Sequence, residues 1–109
     1  MRAAVLSDNR ALVEALEEQG LTVGPLDGAE VLVLDVERVT PEAMVALRRR
    51  ALRPGSGGPY VVALMGWWDE REREYQQVSD FVLNAPVREW QISEMLEDVR
   101  GRVKVTRVA

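Results

Sequence analysis

Val31-Leu32-Val33-Leu34-Asp35 sets four apolar residues directly against one carboxylate. An unbroken apolar run this short, rich in Val and Leu and followed by turn signals, reads as a parallel strand buried on both faces. Ligands of open α/β sheets bind just beyond the carboxyl ends of such strands, which is where Asp35 stands. A second apolar run, Ala3-Ala4-Val5-Leu6, ends the same way in Ser7-Asp8. Two strand-end acids suit a cation, a phosphoryl group, or a hydrogen-bond network that has replaced one.

On either side of this strand the chain alternates strand and helix signals. Residues 2–7 read as a strand, and Asp8 as the cap of a helix that turns Leu12, Val13, Ala15 and Leu16 inward and ends near Gly20. Leu21-Thr22-Val23 is a short strand. Thr40-Pro41 supplies an N-cap with proline at the first helical position, opening a helix to about Leu52. Tyr60 to Leu64 is a fourth strand, 67–77 a helix, and Phe81-Val82-Leu83 a fifth strand. Pro86 opens the last helix, whose Ile92, Met95, Leu96, Val99 and Val103 share one face. Arg53 to Pro59 is a Gly/Pro/Ser connector without the Gly-Lys-Ser/Thr ending of a phosphate-binding loop. The alternation predicts an α/β three-layer sandwich. Residues 1–103 make the domain, and 104–109 a C-terminal tail or the start of a linker.

Two irregularities stand out. Only residues 24–30 join the second strand to the third, whereas a parallel crossover normally takes a dozen residues or more and a helix. That helix is missing or reduced to a turn. The run Asp69-Glu70-Arg71-Glu72-Arg73-Glu74 is all charge, with no apolar stripe. It predicts a helix, solvated or frayed, lying over Trp67, Trp68, Tyr75 and Val78.

Composition narrows the chemistry. A chain of 109 residues holds one domain with one core. Its net charge of -4 argues against direct nucleic-acid contact, which needs clustered Lys and Arg. Cys and His are absent, which removes thiolate nucleophiles, disulfides, Cys/His zinc sites and histidine acid–base catalysis. No cofactor is indicated, and carboxylates are the metal ligands left. No apolar run reaches the roughly 18 residues of a membrane span, and no signal-peptide core precedes the first strand. The expected location is the cytoplasm.

In order along the chain, Val5-Leu6-Ser7-Asp8-Asn9, Leu32-Val33-Leu34-Asp35, Val61-Val62-Ala63-Leu64-Met65-Gly66 and Asp80-Phe81-Val82-Leu83-Asn84-Ala85-Pro86 resemble the signature stretches of the CheY-like receiver domain of two-component response regulators. The resemblance implies a flavodoxin-like five-stranded parallel sheet of order 2-1-3-4-5, here with its second helix missing or shortened. It makes Asp35 the counterpart of the phosphoacceptor.

The departures shape the functional expectation. Ser7 stands where the family has an acid, leaving Asp8 beside it. Met65 replaces the hydroxyl residue that takes a phosphoryl oxygen, and Asn84-Ala85 precede Pro86 where the family has a lysine. The pocket Ser7, Asp8, Asp35, Met65, Asn84 thus looks degenerate, with no catalytic residue and no metal. It is similar to atypical receivers that work without phosphorylation, whose aspartate is tied to hydroxyl and Arg side chains. Arg38 is the candidate partner here, with Glu37 at the position where the Arg is expected. The implied role is a signalling and dimerisation module, the N-terminal part of a transcription regulator fused to a DNA-binding domain. The readings set beside it are a working phosphoacceptor at Asp35 and a small flavodoxin-like ligand-binding domain. The family's usual dimer contact falls on the 67–77 helix, the fifth strand and the last helix. That surface carries Arg71, Arg73 and Glu74 on one element and Arg88, Glu97 and Asp98 near the other, with Trp90 off the core face as an apolar anchor.

Overall fold

Five apolar runs pair into one parallel sheet in a computed structural model that describes residues 1–51 and 59–108. The elements are β1 (Arg2–Leu6), α1 (Arg10–Glu18), β2 (Thr22–Val23), β3 (Val31–Asp35), α2 (Pro41–Ala51), β4 (Tyr60–Gly66), α3 (Glu72–Gln76), β5 (Phe81–Ala85) and α4 (Glu89–Val108). The sheet order is β2-β1-β3-β4-β5, as the resemblance implied. Because every strand runs the same way, Leu6, Asp35, Gly66 and Ala85 all end at one edge.

The central strands β3 and β4 alternate between two cores. Val31, Val33, Val62 and Leu64 pack with Leu12 and Leu16 of α1 and with Ile92, Met95, Leu96 and Val99 of α4. Leu32, Leu34, Val61, Ala63 and Met65 pack with Met44 of α2 and Tyr75 of α3. Continuous apolar runs are what a strand covered on both faces requires. Val103, expected on the α4 stripe, lies outside the described side chains, as most of the expected 53–59 connector lies outside the described residues. The α4 backbone runs through 103 to Val108 without a break. Among the described residues no helix is long and apolar enough to cross a membrane.

The missing crossover helix has a geometric cause. Ala3 is in register with Val23 on one side and Val31 on the other. Since β2 is only two residues long, the chain need not travel back along a strand before starting β3. It must cross β1 alone, about 10 Å at two strand spacings. The residues 24–30 do this as an arch, and its Leu26 and Ala29 pack on the α2/α3 side.

Three local expectations are corrected. Asn9, not Asp8, caps α1: its side chain accepts the Leu12 N–H at 3.1 Å, while the Ser7 hydroxyl accepts the Asn9 N–H at 3.1 Å. The helix expected over 67–77 shrinks to Glu72–Gln76, because Trp68 has φ 64 and Asp69 takes the Arg71 N–H into a side-chain turn. Trp67 and Trp68 are exposed and give the helix no floor, which Tyr75 and Val78 supply. Finally, α4 begins at Glu89, where the Arg88 carbonyl accepts the first helical N–H groups, not at Pro86.

Candidate functional site

Asp35 closes β3 at the carboxyl edge, half-buried, between a buried strand and a turn. One carboxylate oxygen accepts the Glu37 N–H at 2.9 Å, and the other accepts the Ser7 hydroxyl at 3.3 Å. The Asp35 backbone carbonyl accepts the N–H groups of Arg38 and Val39, which fixes the turn beneath its own side chain. Asp35 is therefore both the cap of this turn and the link from β3 to the end of β1.

Arg38 does not reach Asp35. Its guanidinium pairs with Asp8 at 2.5 Å, with side chains 46% and 83% exposed respectively. The turn that caps Asp35 sends Arg38 outward, and Asp8 is free to meet it because Asn9 does the capping. An ion pair this exposed contributes about 0–1 kcal/mol.

Met65 is buried in the α2/α3 core and offers no hydroxyl to the edge. Asn84 lies opposite it in register and donates its side-chain amide to the Gly66 carbonyl at 3.4 Å. The Asn84 N–H goes to Gln91 Oε1 at 3.0 Å, which fixes the orientation of the Gln91 amide and leaves its buried Nε2 without a partner among the described residues. The edge thus carries an amide where an ammonium would be needed.

A second network, not foreseen from the sequence, lies beyond β4. Arg71 grips Asp69 with two donors at 3.0 and 2.8 Å and reaches Glu37 at 2.6 Å. This holds the Asp69 carboxyl down at about 2, through the Arg71 side chain first and the Arg71 N–H second. The same partners push the guanidinium up. One turn on, the Tyr75 hydroxyl donates to the Val39 carbonyl at 2.7 Å, and burial raises its pKa. Both contacts tie α3 to the turn that carries Asp35. The one signal in the sequence was Asp69-x-Arg71, the spacing of an aspartate turn.

The residues do not fit the Mg²⁺ that the resemblance to receiver domains implies. Mg²⁺ needs octahedral oxygen ligands and is held by carboxylates. Asp8 and Asp35 are two carboxylates only, Asp35 already accepts an N–H and a hydroxyl, and among the described residues no three acidic, His or Cys side chains converge. No step through a metal follows.

The other expected surface residues are placed as follows. Arg73, Glu74, Arg88, Trp90 and Glu97 are exposed on α3, the β5–α4 turn and α4. Arg71 is held by Asp69 and Glu37, and Asp98 accepts the Tyr60 hydroxyl, so both are engaged within the chain.

No protein-family model matches the chain, and no curated protein matches it. Solved structures do. A CheY-like response regulator receiver domain from Methylobacillus flagellatus is similar at TM-score 0.67 and 20% identity, over 91% of this chain and 98% of that one. The receiver domain of ChxR from Chlamydia trachomatis is similar at TM-score 0.62 and 14% identity, over 93% and 96%. A streptococcal redox sensor, of a family evolved from two-component response regulators, is similar at TM-score 0.69 and 18% identity; 99% of this chain covers 55% of that one. The five parallel strands in order 2-1-3-4-5 between two helical layers are those of the CheY-like receiver domain, and this chain has its fold.

Proposed function

We propose that this domain is a degenerate receiver, a signalling and dimerisation module that works without phosphorylation as the N-terminal regulatory part of a transcriptional response regulator. One observation carries the reading: the groups at the carboxyl edge satisfy one another. Asp35 is held by Ser7 and the Glu37 N–H, and Asp8 by Arg38. Met65 and Asn84 bring neither hydroxyl nor ammonium. Phosphoryl transfer runs on positioned cations and donors that neutralise developing charge, and this edge has none to spare for an incoming phosphoryl group.

In this reading the domain acts through its surface and catalyses nothing. Its dimer contact is the face of α3, β5 and α4, with Trp90 as anchor and Arg73, Glu74, Arg88 and Glu97 around it. DNA contact belongs to a fused domain, and the working compartment is the cytoplasm. A thiol switch has no place in the proposal, since these 109 residues include no cysteine.

Incubation with acetyl phosphate and Mg²⁺, followed by intact-mass measurement, is the test. The expected spectrum shows no substantial phosphoryl adduct. An adduct that disappears in Asp35→Ala makes Asp35 a working phosphoacceptor and overturns the proposal.

A further inference from the structure

Trp68 is 95% exposed, so its indole adds almost nothing to the core. Its φ of 64 lies in the left-handed region, which glycine adopts freely and a bulky L-residue does not. A fold under no other demand would place Gly or Asn here. The turn is nonetheless held on both sides. Before Trp68, the Gly66 carbonyl accepts the Asn84 side chain at 3.4 Å. After it, the Asp69 carboxylate takes the Arg71 N–H at 2.9 Å, and Arg71 is in turn locked to Glu37 at 2.6 Å. Strained backbone that its surroundings over-determine is characteristic of functional positions. Trp67, 51% exposed, widens the aromatic surface.

The charge around this turn selects the occupant. Five carboxylates, Glu37, Asp69, Glu70, Glu72 and Glu74, stand against two guanidinium groups, Arg71 and Arg73, an excess of three negative charges. Arg71 is already spent on Asp69 and Glu37. An indole face attracts a cation by its quadrupole, Arg most often. The geometry points to the Trp67–Trp68 turn as a docking surface for an arginine-bearing segment of a partner protein, one guanidinium lying on the Trp68 ring and neighbouring cations meeting Glu70 and Glu72. The inference is independent of the fate of Asp35.

The probe is a fluorescein-labelled peptide of three arginines spaced by glycines, followed by anisotropy at low salt, with a glutamate peptide of the same spacing beside it. The arginine peptide is expected to bind the full chain and the glutamate peptide not to. Trp68→Gly is expected to weaken binding at least two- to five-fold, the scale of an exposed cation–aromatic contact. The same variant should melt at the wild-type temperature or above it, since glycine relieves the backbone; a merely structural indole would lower it. Glu70→Gln should weaken binding without moving the melt. Equal binding by wild type and Trp68→Gly, or no binding of the arginine peptide at millimolar concentration, overturns the proposal. So does concentration-dependent self-association that both Trp68→Gly and Arg49→Glu abolish, which would give the surface to the basic Arg48–Arg50 end of α2 on a second copy.

Discussion

Removing the Asp35 carboxylate would strand a hydroxyl and one N–H, but both lie near water. The Glu37 N–H that it caps is exposed, and the Ser7 contact is long at 3.3 Å. Asp35→Ala should therefore cost no more than an ordinary hydrogen bond or two, about 0.5–1.5 kcal/mol, and Asp35→Asn less, because an amide oxygen can still cap the turn. Tyr75→Phe should cost more, about 1–3 kcal/mol, since it leaves the Val39 carbonyl without its partner in a buried site. Urea denaturation of the two variants checks the order, and a larger loss from Asp35→Ala would contradict it. The sequence exposed Asp35 through its position after an apolar run. It exposed Tyr75 only as an apolar contact, because its hydrogen-bond partner is a carbonyl 36 residues away that no local pattern marks. Arg38 meets Asp8 of the same pocket instead of Asp35 for a related reason. Its proximity to Asp35 along the chain is clear, whereas the turn that sends it toward Asp8 depends on backbone bonds that no side-chain pattern reveals.

Among the elements, α3 depends most on charge. It has five residues, one buried side chain, and a first turn preceded by the Asp69–Arg71 pair. Asp69 titrates at about 2 in the fold, below the ~3.9 of a free aspartate. A depressed carboxylate contributes stability above the unfolded value and loses it as pH falls through the folded one, here from about 4 down to about 2. The Trp67–Trp68 turn should therefore keep its emission through pH 4 and 3 and change only toward pH 2. Asp69→Asn should show no such late step. Tryptophan fluorescence in a Trp90→Phe background reads this directly. The buried strands were legible because burial on both faces leaves a continuous apolar word. The helix at 67–77 was overestimated because six charges in a row state a preference for water and say nothing about backbone direction. The left-handed Trp68, which stops the helix from starting earlier, is a bulky residue in a conformation that favours glycine.

For the whole molecule, the face of α3, β5 and α4 combines exposed Trp90 with exposed charges of both signs. A two-fold dimer sets one patch against its own copy, so mixed charge can be self-complementary. Sedimentation at high micromolar concentration should show a dimer that Trp90→Ala and Arg73→Glu weaken; a monomer, or a dimer indifferent to both, places the contact elsewhere. The strand order was legible through resemblance, whereas the short second crossing was legible as an anomaly and is explained only by the register. Ala3 has β2 and β3 at the same height on its two sides, so about 10 Å is crossed by a segment able to span roughly 25 Å. The segment is longer than the crossing requires, and the excess forms the turn that packs Leu26 and Ala29. Lengthening it from the seven residues 24–30 by a dozen would raise the closure entropy by only about 1 kcal/mol and pull on neither strand. That makes the arch a permissive port in the scaffold, a place where a foreign sequence could be grafted at the end of the sheet opposite Asp35 without disturbing the residues around it.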